Sequence, residues 1–232
     1  MAIELKILTS NSTRPVLDAL IPAYEKSTGN KVSLIADSAK AMVERIKGGE
    51  TGDIVVLGTG ALKDLAAAGF VTDASCRPFA RAVVGVGVRS GSPHPDISSL
   101  EAFKKSLLAA KSIAHTTQGA SGMYIPVMLE KIGIAAEMKP KTVTRTGGYI
   151  GRVVVSGEAE VALQQIPELM AVPGLDVVGP LPAKVQKVFE TSIGLVVQSS
   201  NAAAAEALVQ FFRDTTHGPL FQSKGLEQAA QQ

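Results

Sequence analysis

The feature that most narrows what this chain can become is a local grammar repeated three times near its start: a short apolar strand, a few hydroxyl or glycine residues, then a helix. Ile3 to Leu8 runs into Thr9-Ser10-Asn11-Ser12-Thr13, and Lys31 to Ala36 delivers Asp37-Ser38-Ala39 to a helix carrying Met42, Val43 and Ile46. Ile54-Val55-Val56-Leu57 then leads through Gly58-Thr59-Gly60 into a helical segment from Leu62 to Ala68. Serial units of this kind bury their strands in an open, mostly parallel sheet covered by helices, so the fold class expected is α/β. Such sheets hold ligands beyond the C-terminal ends of their strands. Each helix start there offers unbonded N–H groups that favour an anion. Asn11, Ser12, Ser38 and Thr59 are therefore candidate ligand-binding residues, although a serine before a helix is equally an ordinary cap.

The first helix is expected to hold Pro15 in its first turn, to bury Leu17, Leu20, Ile21 and Tyr24, and to stop at Gly29. After Pro78 the pattern changes to Ala82 to Val88, a long apolar strand in which Gly85 and Gly87 suit close approach of backbones. Ser98 or Ser99 caps a helix with Leu100, Phe103, Leu107 and Leu108 as its stripe. Ser112 to His115 begins the next strand, and Thr116 to Ser121 again sets polar residues before a helix, adding Ser121 to the candidates. The strand-like Lys141 to Arg145 runs into Thr146-Gly147-Gly148-Tyr149, and Glu160 to Leu163 leads to Gln164-Gln165. Ile193 to Val197 supplies a return strand, followed by a helix from Ala202 to Phe212. The expected division is a first lobe over residues 1–82, a second over 83–190 and a return to the first over 191–232, with a hinge at the two crossings.

Composition removes several function classes. A net charge of +2, with no basic run interleaved with aromatics, argues against a nucleic-acid partner. Cys76 is the one cysteine, which excludes an internal disulfide and a cysteine-based metal cluster, and the three histidines lack metal-ligand spacing, so no metal is expected. No nucleotide fingerprint is present among the glycines, and no cofactor is expected. Ile3 to Leu8 is too short for a leader and Glu4 interrupts it, which predicts no membrane insertion. The location expected is cytoplasmic as the sequence stands, or periplasmic if a leader has been removed. His115, at the end of a second-lobe strand, is the candidate proton acceptor should the chain be an enzyme.

Four stretches carry a family resemblance when taken together: Thr9 to Thr13, Gly52-Asp53-Ile54-Val55-Val56, Gly119-Ala120-Ser121-Gly122-Met123-Tyr124, and Gly218-Pro219-Leu220-Phe221 through Gly225-Leu226. The chain resembles the type II periplasmic solute-binding proteins of the molybdate-binding type over nearly its whole length. That resemblance implies two lobes, each a mostly parallel sheet flanked by helices, and a small anion held in the cleft by hydroxyls and N–H groups without a counter-cation. Carried over by position, Ser12 resembles the first-loop serine, Ser38 the second, Ser121 the residue whose N–H meets the ligand, and Gly147 to Tyr149 the fourth contact. The family's fifth contact is a tyrosine hydroxyl, and its position falls near Gln165, where an amide changes the shape of the cavity. Gly85 to Val88 and Asp96 to Lys104 resemble the aconitate-isomerase-like branch of this fold. The resemblance therefore implies binding of a small oxyanion or di- or tricarboxylate, with an ABC permease as partner if the chain is exported. The alternative it implies is isomerisation of a small unsaturated polycarboxylate, with His115 as base.

Overall fold

The computed structural model describes residues 2–230. The opening strand is β1 (Glu4–Ser10), in which Leu5, Ile7 and Leu8 are wholly buried. Helix α1 (Arg14–Thr28) follows, with Pro15 in its first turn, where a missing N–H costs nothing, and Gly29 closing it at φ 75°. Its buried face includes Leu17, Leu20, Ile21 and Tyr24. The unit repeats as β2 (Lys31–Asp37) with α2 (Ala39–Lys47), and as β3 (Ile54–Gly58) with α3 (Thr59–Ala67). β1 pairs in parallel with both other strands, which sets Ser10 beside Asp37 and Thr9 beside Val56. The C-terminal ends of the three strands are therefore neighbours.

Strand β4 (Arg77–Arg89) is longer than the apolar run alone suggests. Helix α4 (Leu100–Ala109) comes next, and of the two serines before it Ser99 is the cap, its Oγ accepting the Ala102 N–H at 3.1 Å. There follow β5 (Ile113–Thr116), α5 (Ala120–Lys131), α6 (Ala135–Met138), β6 (Thr142–Arg145) and α7 (Gly151–Val155). Then come β7 (Val161–Gln165), α8 (Ile166–Met170) and β8 (Leu175–Pro180). The chain ends with β9 (Val188–Leu195), α9 (Ala202–Arg213), α10 (Gly218–Ser223) and β10 (Glu227–Gln228).

These elements form two compact units, one of residues up to Arg81 and again from Phe189, the other of Ala82–Val188. In the first, the strand order is β2-β1-β3-β9, with β9 antiparallel to β3. In the second it is β6-β5-β7-β4, with β5 parallel to β6 and β7, and β4 antiparallel to β7 and β8. Each unit thus places the first strand of a parallel trio at the centre and an antiparallel strand beside the third, so both sheets are mixed.

Close packing explains the glycines of the long strands. A Cβ at Gly85 would stand 2.6 Å from Ile166 Cγ1, and one at Gly194 would stand 2.9 Å from Val71 Cγ1. At the N-terminal end of β3 the buried Asp53 is a structural tie. Its Oδ2 accepts the Lys6 N–H at 2.8 Å, and its Oδ1 accepts from Ser199 Oγ at 2.6 Å and from Asn201 Nδ2 at 3.2 Å. One carboxylate thus fixes β1 and the entry to α9. Asp53→Ala strands these donors and is expected to cost about 2–3 kcal/mol in a denaturant titration, with no direct effect on ligand chemistry at the opposite strand ends.

Candidate functional site

In the first unit the strand ends present a chain of hydroxyls. Thr9 Oγ1 lies 2.7 Å from Thr13 Oγ1, Thr13 Oγ1 lies 3.3 Å from Ser10 Oγ, and Ser10 Oγ lies 3.2 Å from Ser12 Oγ. All four residues are buried. Thr13 is the N-cap of α1 yet makes no side-chain cap bond, because its hydroxyl is drawn to Thr9 and to the Ser10 carbonyl. The start of α1 is thus left without an internal side-chain cap. Asn11 is tied to the neighbouring loop through its N–H, which donates to the Asp37 carbonyl at 3.0 Å. Ser38 does cap α2, its Oγ accepting the Ala41 N–H at 3.4 Å. Thr59 opens α3, with its Oγ1 2.9 Å from Ser192 Oγ. Asn11, Ser12, Ser38 and Thr59 therefore share one sheet edge.

The second unit builds a similar edge. Pairing sets Thr116 beside Arg145, and the Thr117 and Gln118 N–H groups donate to the Arg145 and Thr146 carbonyls at 2.8 and 3.0 Å. The loop before α5 is thereby joined to the one carrying Gly147 and Tyr149. Helix α5 has Gly119 as its N-cap and so no side-chain cap bond. Ser121 is 1% exposed and its Oγ has no hydrogen-bond partner, and the same holds for Thr116 Oγ1 beneath it. Two orphaned hydroxyls beside an uncapped helix start are costly unless something else engages them. Gln165 ends β7 and is the buried N-cap of α8.

Sequence reasoning passed over the residue before it. Gln164 Oε1 accepts the Ile150 N–H at 2.8 Å, while its Nε2 donates to the Gly148 carbonyl at 2.8 Å and to Glu168 Oε1 at 3.0 Å. Glu168 is buried, and burial pushes its carboxyl up to about 8 against the opposing pull of the Gln165 backbone N–H and the Gln164 amide. The signal was present as Gln165-Ile166-Pro167-Glu168, the spacing of a capping box with proline in the first turn.

His115 is placed differently from the other candidates. Its Nδ1 is 2.8 Å from the Thr116 carbonyl, and burial lowers its pKa despite that bond. The ring lines a cavity of about 330 Å³ with Pro126, Leu129, Glu130, Ala135, Lys139 and Thr142 among its walls. None of the other candidate residues lines that cavity. Of the two arginines near the Gly147 loop, Arg145 pairs with Glu158, and Arg152 lies 5.6 Å from the centre of the Tyr149 ring. The lone thiol, Cys76, is half-buried and pushed up by desolvation, the condition of an unreactive cysteine. Among the described residues no group of three or more His, Cys, Asp or Glu is placed to hold a metal ion, and no helix is long and apolar enough to cross a membrane.

The family model for bacterial extracellular solute-binding proteins matches residues 5–227, and the chain belongs to that family. It is 33% identical over 229 residues to an aconitate isomerase from Pseudomonas sp., covering 96% of this chain and 87% of that one. Among solved structures, the periplasmic molybdate-binding protein of Azotobacter vinelandii matches with a TM-score of 0.83 at 16% identity, over 98% of this chain and all of that one. The sulfate-binding protein SubI from Mycobacterium tuberculosis H37Rv matches with a TM-score of 0.78 at 18% identity, over 97% of this chain and 86% of that one. These likenesses establish the fold as that of the type II periplasmic binding proteins, as the resemblance in the sequence implied.

Proposed function

We propose that this chain binds a small anion at helix starts, the candidate donors being Asn11, Ser12, Ser38 and Thr59 in the first unit, and Ser121, Gly147, Tyr149 and Gln165 in the second. The observation that carries this reading is the pair of orphaned hydroxyls, Thr116 Oγ1 and Ser121 Oγ, at the uncapped start of α5. Neutral donors and helix N-termini hold anions without a counter-cation, and none of the proposed contacts is a lysine or arginine. The fold shared with molybdate- and sulfate-binding proteins supports the same chemistry. If the chain is exported, an ABC permease is the partner that the reading supplies, with the periplasm as its location. In the absence of a leader the binder stays cytoplasmic.

Calorimetric titration with molybdate, sulfate, citrate and the two aconitate isomers tests the proposal. At least one should bind, and Ser12→Ala and Ser121→Ala should each weaken that same ligand roughly tenfold or more, since a hydrogen bond to a charged group is worth about 1.5–3 kcal/mol. Failure of every anion in the panel to bind would refute the reading.

The identity with an aconitate isomerase favours a second reading, in which the ligand is an unsaturated polycarboxylate and the chain moves a proton between allylic carbons. Such a reaction needs a base within reach of a carbon-bound proton and donors for the developing enolate charge. Incubation with trans-aconitate in heavy water, followed by NMR, decides it: formation of cis-aconitate with deuterium uptake supports the enzyme, and neither leaves the binder. His115→Gln is the accompanying variant. With its ring in the α5–α6 cavity, the expected result is unchanged anion affinity, and loss of turnover alone would identify it as the base.

A further inference from the structure

We infer that Glu168, acting through Gln164, is a positioning residue for the Gly147–Tyr149 loop and so for the anion-binding edge of the second unit. The inference rests on the anion-binding reading above for its functional meaning, and on hydrogen-bond geometry for its substance. The loop has no regular secondary structure to hold it, and Gly148 sits at φ 80°, a conformation that side chains rarely adopt. One side-chain amide ties it on both sides of Tyr149. Gln164 takes the Ile150 N–H on its oxygen and gives one N–H to the Gly148 carbonyl, clamping the loop at both ends of Tyr149. An amide can be turned end for end, which would oppose donor to donor and acceptor to acceptor at the loop. The loop's own N–H and carbonyl set the sense of the amide, and its second N–H is received by Glu168 Oε1, which holds it in place. Glu168 is in turn anchored by the Gln165 backbone N–H, so the carboxyl reads the start of α8 and sets the loop before α7.

A neutral carboxyl performs this task with its carbonyl oxygen accepting. An ionised one would place a charge in a buried site served by these two N–H donors. Among the described residues no cation figures in the causes of its shift. β7 carries no ionisable residue, Asp176 of β8 is engaged by Ser90, Gly91 and His94, Arg89 of β4 lies beside Gly157, and Arg152 of α7 lies over Tyr149. The loop is therefore expected to loosen as Glu168 ionises.

Hydrogen–deuterium exchange of the segment spanning residues 146–150, measured without ligand from pH 6 to 9 and corrected for intrinsic rate, tests the clamp directly. In the native protein, protection of the Ile150 N–H should fall about tenfold between pH 7 and 9. Glu168→Gln, which mimics the neutral acid, should match the native protein at pH 6 and stay flat to pH 9. Glu168→Leu should lose protection at every pH, and titration with molybdate and trans-aconitate should show the same ranking of affinities. Equal loop protection in Glu168→Leu and the native protein would overturn the inference. If that variant does not fold, parallel pH profiles for the native protein and Glu168→Gln would overturn it instead. If neither probe binds the native protein while the exchange profiles differ as described, the clamp stands and the choice of anion in the proposed function fails.

Discussion

Gly122→Ala is expected to destabilise the protein by about 3 kcal/mol or more and to weaken anion binding at the same time. Gly122 lies in the first turn of α5, and a Cβ there would stand 2.0 Å from the Thr116 carbonyl oxygen and 2.4 Å from Thr116 Oγ1. The obstacle is main chain at the end of β5, which cannot rotate aside as a side-chain tip can. Overpacking in a dense interior typically costs about 1–3 kcal/mol, and a backbone clash belongs at or beyond the upper end. Relief requires the helix to lift from the strand, which moves Ser121 and the uncapped N–H groups away from the loop that carries Gly147. Gly60→Ala is the matching control. Gly60 is exposed in α3 and keeps an ordinary φ, and a Cβ there would meet no atom within 4 Å, so the substitution should stabilise by about 0.4–1 kcal/mol. Thermal melts and anion titrations on the two variants give the comparison, and a Gly122→Ala protein with native melting temperature and affinity would refute the packing argument.

The βα units were legible in the sequence because each is a local object. A strand's alternation, a serine or glycine at its end and an amphipathic stripe after it lie within about twenty residues, and α1 begins and ends where Pro15 and Gly29 say it should. Long-range pairing was harder to read. β4 extends back to Arg77 through Pro78 and Arg81, since β10 pairs with Ala80 and Arg81 and supplies partners that the apolar pattern cannot reveal. β9 begins five residues before the apolar run at Ile193, because Thr191 and Ser192 pair with Gly58 and Leu57 and satisfy their polar groups there. The candidate site divides along the same line. Ser12, Ser38, Thr59 and Ser121 follow from local position at helix starts. The destination of a side chain on a fully buried strand does not: Ala114 packs with Ile150, Val153 and Val154, whereas its neighbour His115 lines the α5–α6 cavity. Gln164 was passed over for the same reason. Its importance comes from Gly148 and Ile150, more than a dozen residues upstream, brought to it only when β7 pairs beside β5.

The buried carboxyl also makes stability fall with rising pH over a range in which many proteins are near their optimum. Glu168 is raised from 4.5 to about 8, so between these values the folded chain holds a proton that the unfolded chain has released. Its stabilising contribution is fully present below pH 4.5 and is lost as pH rises through 8. Each tenfold change in proton affinity is worth about 1.4 kcal/mol, so the whole contribution is of the order of several kcal/mol. Other groups act with the opposite sign at lower pH, the exposed Asp96, Glu158, Asp176 and Asp214 among them. Glu50, held near 2 by its bonds to Lys6 and Arg45, contributes stability above 4.5 that is lost as pH falls through 2. His115, lowered by burial from 6.5, makes stability rise with pH until its unfolded form is neutral. The clean window for Glu168 is therefore above pH 6.5. Denaturant titrations of the native protein and Glu168→Gln from pH 6.5 to 9 should diverge, the native protein losing stability steadily up to about pH 8 while the variant stays level. Parallel curves would mean that the carboxyl is solvated in solution, and the argument from its burial would fall.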